Sequence, residues 1–255
     1  MNEPARILHL RETGSTNADA MRLALKGEDL PLWVIADRQT AGRGRAGRTW
    51  TSPPGNLYAS LAFCCEAPIE QAGQLSLIAG ISMIDAIRTN TELAPDAGLR
   101  LKWPNDVLVG LSKVGGILVE STMARGGPGF LAIVGFGLNI AAAPDDLGRA
   151  ATAIARHGKA PAPLEMLNSL AEHVSLWLGR WHAGSDFAAI RSAWIERAGP
   201  LGEPITINTL QGPVSGTYQG LSETGALRAE VNGEVREFSH GDVALGGAPA
   251  RDGAA

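Results

Sequence analysis

Apolar and polar positions along this chain switch repeatedly between the helical and the strand period. Ile7 to Leu10 reads as a short strand, and Ala18 to Lys26 after it is amphipathic at helical spacing. Ser15, Thr16 or Asn17 can cap that helix, since each offers an oxygen to free backbone N–H groups. Trp33 to Asp37 predicts a second strand, Leu57 to Cys65 a continuous apolar strand, and Gln74 to Arg88 a buried helix. Leu101 to Trp103, Val107 to Val109, Gly116 to Glu120 and Phe130 to Ile140 predict four more strands, with turns at Pro104-Asn105 and Gly126-Gly127-Pro128. Leu164, Leu167, Ala171, Val174, Leu178 and Trp181 recur three or four apart, as one helix face does, and a further helix runs from Phe187 to Ala198.

The pattern changes near Gly199-Pro200. Ile205 and Ile207 alternate with polar neighbours, and Asn232-Gly233 separates the alternating runs Leu227 to Val231 and Glu234 to Phe238. Asn-Gly in that position favours the left-handed backbone of a two-residue hairpin. The organisation expected is a large unit over 1–199, a small all-β unit over 200–247 packed on it, and a frayed tail over 248–255.

Composition narrows the class. The chain has 255 residues, 45% hydrophobic, with a net charge of -4, so bulk attraction to DNA or an anionic membrane is not expected. Its most apolar stretch, Leu75 to Ile87, is interrupted by Ser82 and Asp85 and is too short to cross a bilayer. No secretory leader is visible at the start, and the two cysteines are the adjacent Cys64 and Cys65, a usage that fits a reducing cytoplasm. The histidines (His9, His157, His173, His182, His240) lack ligand spacing, and no G-x-S-x-G elbow or Walker loop occurs.

Four segments could carry chemistry. Gly42-Arg43-Gly44-Arg45-Ala46-Gly47-Arg48 sets three arginines among three glycines, followed by Trp50. Glycine lets backbone N–H groups approach a ligand, guanidinium pairs with phosphate or carboxylate, and an indole can cover a heterocycle. Alone, the segment reads equally as a solvated basic loop. Lys102-Trp103-Pro104-Asn105-Asp106 projects polar groups from a sheet end; Asp106 could bind a metal or orient a cation, or merely make an Asx turn. Lys113 either snorkels at a sheet edge or brings charge to a buried anion. Gly135-Phe136-Gly137-Leu138-Asn139 suggests close backbone approach within a strand.

In this order, these pieces together with Gly14-Ser15-Thr16-Asn17, Gln39 to Trp50, Ser52-Pro53 and Lys113 to Glu120 resemble the biotin protein ligase family over nearly the whole chain. The resemblance implies a mixed β-sheet with packed helices, of class II synthetase and biotin/lipoate-ligase type, plus a small C-terminal SH3-like β-barrel. It also implies an ATP-dependent ligase that makes biotinyl-5′-AMP with Mg2+ and passes biotin to a lysine of a biotin carboxyl carrier protein, such as an acetyl-CoA carboxylase subunit. Ser15 lies so near the start that the form without an N-terminal DNA-binding domain is expected, as a cytoplasmic monomer or homodimer without DNA or membrane partners.

By the same resemblance Lys113, Arg45 and Asp106 are the catalytic candidates, with Asp106 either a metal ligand or a lysine-orienting carboxylate. Ser15, Thr16, Asn17, Gln39, Gly42, Arg43, Gly44, Arg45, Lys113 and Gly115 belong to the biotin side. Arg43, Arg45, Arg48, Trp50, Lys102, Asn105, Lys113 and Asn139 belong to the nucleotide side. Residues 42–47 are expected to order over the ligand. A lipoate–protein ligase-like enzyme is the alternative within the fold class, and a peptide- or nucleic-acid-binding module the alternative outside it.

Overall fold

The computed structural model describes residues 5–94, 96–124, 129–144 and 150–246. A seven-stranded mixed sheet forms the larger unit. Its strands are β1 (Arg6–Leu10), β2 (Leu32–Ala36), β3 (Leu57–Cys65), β4 (Leu99–Lys102), β5 (Asp106–Val109), β6 (Ser112–Met123) and β7 (Phe130–Leu138), in the order β1-β2-β3-β7-β6-β5-β4. Helix α1 (Thr16–Leu25) carries the chain from β1 to the parallel β2, and the other neighbours in the sheet are antiparallel. The predicted turn at 126–128 and the predicted tail at 248–255 lie outside the described residues.

Strand alternation divides the sheet into two faces. Trp33, Ile35, Leu57, Ala59, Leu61, Val134 and Phe136 enter the main core, against α2 (Gln74–Asn90), α3 (Pro163–Trp181) and α4 (Phe187–Glu196). The opposite face packs Leu32, Val34, Ala62, Leu131 and Ile133 against Ala20 of α1. α2 is buried nearly all round, which explains its weak amphipathicity. The buried stripe of α3 is wider than the predicted one, five of whose six positions lie in or against the core. Met166, Leu170 and Trp177 are buried with Leu167, Val174 and Trp181, whereas Leu164 is exposed. Trp177 Nε1 donates to Asp85 of α2 at 2.9 Å.

The C-terminal unit is a five-stranded antiparallel sheet of β8 (Pro204–Thr209), β9 (Gly212–Leu221), β10 (Leu227–Val231), β11 (Glu234–Phe238) and β12 (Asp242–Leu245), ordered β11-β10-β9-β8-β12. The Asn232-Gly233 hairpin forms as predicted, with φ of 55° and 83° at its two central residues. The two units share a continuous core through Ile205, Tyr218 and Leu227. Arg100 on β4 pairs with Glu203 beside β8 at 2.9 Å across the junction.

Candidate active site

The cavity begins where the sheet runs out of side chains. Beyond Leu131 and Ile133, the positions of β7 on the α1 face are Gly135 and Gly137, and β6 contributes Gly116 beside Gly137. A Cβ at Gly137 would lie 2.5 Å from Trp50 Cε2, and one at Gly135 would overlap the Asn17 amide. The glycines therefore let an indole and an amide lie directly on the backbone. The result is a cavity walled by the α1 N-terminus, the 43–50 loop, Asn105, Lys113 and Leu118. Gly137→Ala is expected to displace Trp50 with the fold retained, measured by near- and far-ultraviolet circular dichroism.

One end of the cavity is polar and uncharged. Ser15 is the N-cap of α1, its side chain accepting from Ala18 N, and this leaves Thr16 and Asn17 in the first turn to face inward. Gln39 Oε1 accepts from Thr16 N at 2.9 Å, while its Nε2 donates to Ser52 Oγ at 3.2 Å. Ser60 Oγ shares its proton between Thr16 Oγ1 at 2.8 Å and Asn17 Oδ1 at 2.6 Å. Such a cluster is preorganised to meet a neutral polar group.

The other end is cationic. The Gly-Arg loop closes on itself through Gly44 N to Arg48 O at 2.7 Å and Trp50 N to Gly42 O at 2.9 Å. Its tip turns through left-handed Ala46 and Gly47, with φ of 53° and 73°. Arg43, Arg45 and Arg48 all line the cavity with Lys113. Lys113 is buried, its ammonium ion-paired with Asp106 and 5.3 Å from the centre of the Trp50 ring. Asp106 also pairs with Lys102 at 3.0 Å. Burial alone would raise the Asp106 pKa, but the two ammonium groups and their hydrogen bonds bring it far below the usual carboxylate range.

The flap is anchored at its tip to the C-terminal unit. Arg48 Nη2 lies 2.8 Å and Arg45 Nη1 3.5 Å from the carboxylate of Asp242 on β12. Arg45 also donates to Gly241 O at 3.3 Å and to Asn105 Oδ1 at 3.2 Å.

Eleven of the residues expected at the site from sequence are gathered on this cavity: Ser15, Thr16, Asn17, Gln39, Arg43, Gly44, Arg45, Arg48, Trp50, Asn105 and Lys113. Five are placed elsewhere. Gly115 points into the core, where a Cβ would sit 2.7 Å from Met83 Sδ, and Gly116 takes the cavity face instead. Gly42 packs at the base of the flap against Trp50 O and the Gln39 and Ser52 side chains. Lys102 donates to Val243 O at 2.8 Å, so it faces the unit junction. Asp106 lies behind Lys113 and is engaged by two ammonium groups, an arrangement for orienting a lysine; no cluster of three His, Cys, Asp or Glu side chains suited to a metal occurs among the described residues. Asn139 lines a small adjoining cavity shared with Trp50 and Lys113. Its Oδ1, and Nε1 of Trp50, are buried without a hydrogen-bond partner among the described residues. Ser60, Gly116 and Asp242 were not singled out from sequence.

Residues 11–139 match the family model described as Biotin/lipoate A/B protein ligase family, and residues 201–246 match that of the Biotin protein ligase C terminal domain. The chain is 41% identical over 228 residues to a biotin–[acetyl-CoA-carboxylase] ligase of Paracoccus denitrificans, covering 86% of this chain and 91% of that one. Among solved structures it is similar to biotin protein ligase from Aquifex aeolicus in complex with biotin and ATP, with TM-score 0.77 and 29% identity, covering 94% of this chain and 98% of that one. It is similar also to biotin protein ligase from Leishmania major in complex with biotinyl-5-AMP, with TM-score 0.65 and 27% identity, covering 93% and 100% of the two chains.

Proposed function

The chain belongs to the biotin/lipoate A/B protein ligase family, and from that membership and the two-ended cavity we propose how its residues share the work of a biotin–protein ligase. The enzyme activates biotin with ATP and transfers it to a carrier protein. The observation that carries the assignment of roles is the cavity's polarity: an uncharged hydrogen-bonding end continuous with one that holds three arginines and a buried lysine.

In the first step a biotin carboxylate oxygen bonds to the α-phosphorus of ATP, the bond to the β-phosphate oxygen breaks, and pyrophosphate leaves. Both reactants are anions, so the cost is charge repulsion, and fixed cations lower it most. Lys113, held by Asp106, faces both the flap and Trp50 and is the group we assign to the carboxylate and α-phosphate. Ser15, Thr16, Asn17 and Gln39 hold the ureido ring, with Ser60 fixing two of them. Arg43, Arg45 and Arg48 surround the phosphates, to which magnesium comes bound as part of the MgATP substrate. On the base side, Asn139 Oδ1 is an unused acceptor and Trp50 Nε1 an unused donor, a pair that suits the mixed edge of adenine.

In the second step the acceptor lysine amine attacks the biotinyl carbonyl, the acyl–oxygen bond breaks, AMP leaves, and the amine's extra proton goes to solvent. Until then the flap must keep water from the mixed anhydride. Arg45 ties the flap to Asn105 and, with Arg48, to Asp242. Arg45→Ala and Asp242→Ala are each expected to release biotinyl-AMP about three- to tenfold faster in the absence of carrier, measured by filtration of labelled adenylate. The carrier is a biotin carboxyl carrier domain, and the cytoplasm is where such a partner is met.

The test of the whole assignment is to mix purified protein with biotin, MgATP and a carrier domain and weigh the carrier. One added biotinyl group supports it, and an unchanged mass refutes it. Lipoate in place of biotin separates the two halves of the family name, because only the accepted acid supports ATP–pyrophosphate exchange.

A further inference from the structure

Glu120 on β6 takes no part in the steps above, yet it joins two parts of the site. Asn17, buried at the uncharged end, donates from Nδ2 to Glu120 Oε2 at 2.7 Å. Arg43, at the root of the flap, places Nη2 at 3.2 Å from both Glu120 oxygens. The same Asn17 amide accepts from Ser60 on its other side and lies against the bare backbone of Gly135. The carboxylate therefore reads the position of a residue on the floor and holds a residue of the lid. Beyond the Arg43–Glu120 pair lies an outer groove along α1, lined by Ala18, Met21, Leu25 and Lys26. Arg43 borders both this groove and the reaction cavity, so the pair is part of the wall between them.

We propose that Glu120 is a positioning residue that couples occupancy of the acid-binding floor at Asn17 to closure of the flap at Arg43. The inference rests on the biotin ligase reading above. An ionised carboxylate has acceptor sites enough for Asn17 and the guanidinium together. A ligand that orders Asn17 steadies Glu120, and the steadied carboxylate holds Arg43 over the cavity. Glutamine at this position keeps the size but presents one acceptor and a donor to two donors, so the link breaks without loss of bulk.

The test compares wild type with Glu120→Gln by hydrogen exchange of the 42–48 segment with and without biotin, and by escape of preformed biotinyl-AMP without carrier. Wild type is expected to gain flap protection on adding biotin alone. Glu120→Gln should lose most of that gain and release adenylate about three- to tenfold faster, with biotin affinity changed less than about threefold. Glu120→Asp, which keeps the charge, should recover part of the retention. Arg43→Ala/Glu120→Gln should leak no faster than Arg43→Ala, because both changes remove one interaction. Wild-type retention and wild-type protection in Glu120→Gln, or additive leakage in the double variant, overturn the proposal. Absence of biotin-dependent pyrophosphate exchange in wild type instead overturns the ligase reading on which it rests.

Discussion

Lys113→Ala should slow biotin-dependent ATP–pyrophosphate exchange by about 100- to 1,000-fold, the range found when one preorganised charge-stabilising donor is removed from a transition state. Biotin itself should bind within about tenfold of wild type, because the proposed assignment gives the ureido end to Ser15, Thr16, Asn17 and Gln39, which the substitution does not touch. The split between kcat and biotin affinity is the readout. A lysine that merely filled space would change both together or neither. Arginine is not expected to rescue. Lys113 is buried between Asp106, the Trp50 ring and the backbone of Gly116, where a Cβ would already lie 2.9 Å from Nζ, and a guanidinium does not fit.

Asp106→Ala should have the largest effect on the folded state. It removes the carboxylate shared by Lys102 and Lys113 and leaves two partly or wholly buried ammonium groups facing one vacancy. Breaking a buried pair from one side costs about 3–5 kcal/mol, read here as a fall in the urea midpoint. Activity should fall with it even in the folded fraction, since Lys113 loses the group that aims it. The pH dependence has a definite sign. The folded pKa of Asp106 is depressed below the ordinary 3.8, so its stabilising contribution is complete above that value and is lost as pH falls toward the depressed one. Wild type should therefore lose stability steeply below about pH 4, and the alanine variant should lose less there. A parallel pair of stability–pH curves would show that Asp106 is not the titrating group.

Local chemistry was legible wherever one segment carried it alone. The Asn232-Gly233 hairpin, the apolar β3 and the cap at Ser15 need only neighbouring residues, and each forms as the pattern predicts. The Gly-Arg loop, read alone, fits a solvated basic loop equally well, and only its company in the family resemblance pointed it to the site. What the sequence hid is parity and distance. Gly115 and Gly116 look alike in a row, but a strand sends alternate positions to opposite faces, and only pairing with Gly137 shows which one faces the cavity. Lys102 sits four residues from Asp106, yet the Val243 carbonyl, 141 residues away, draws it to the junction. Trp177, outside the predicted stripe of α3, meets Asp85 on another helix. Ser60 looked like one polar residue in an apolar strand, and its value appears only when α1 lies above it.

Asp242 has the longest reach of these. The Arg45 side chain meets the adjoining Gly241 carbonyl across 196 residues, and β12 is the last named strand of the chain. Translation runs from the amino end, so the ribosome delivers the flap's tether after the sheet, the helices and the flap itself. A nascent chain can assemble the cavity before it has the means to pin its cover down. On the proposed assignment, secure storage of the reactive anhydride becomes available only once β12 has been made.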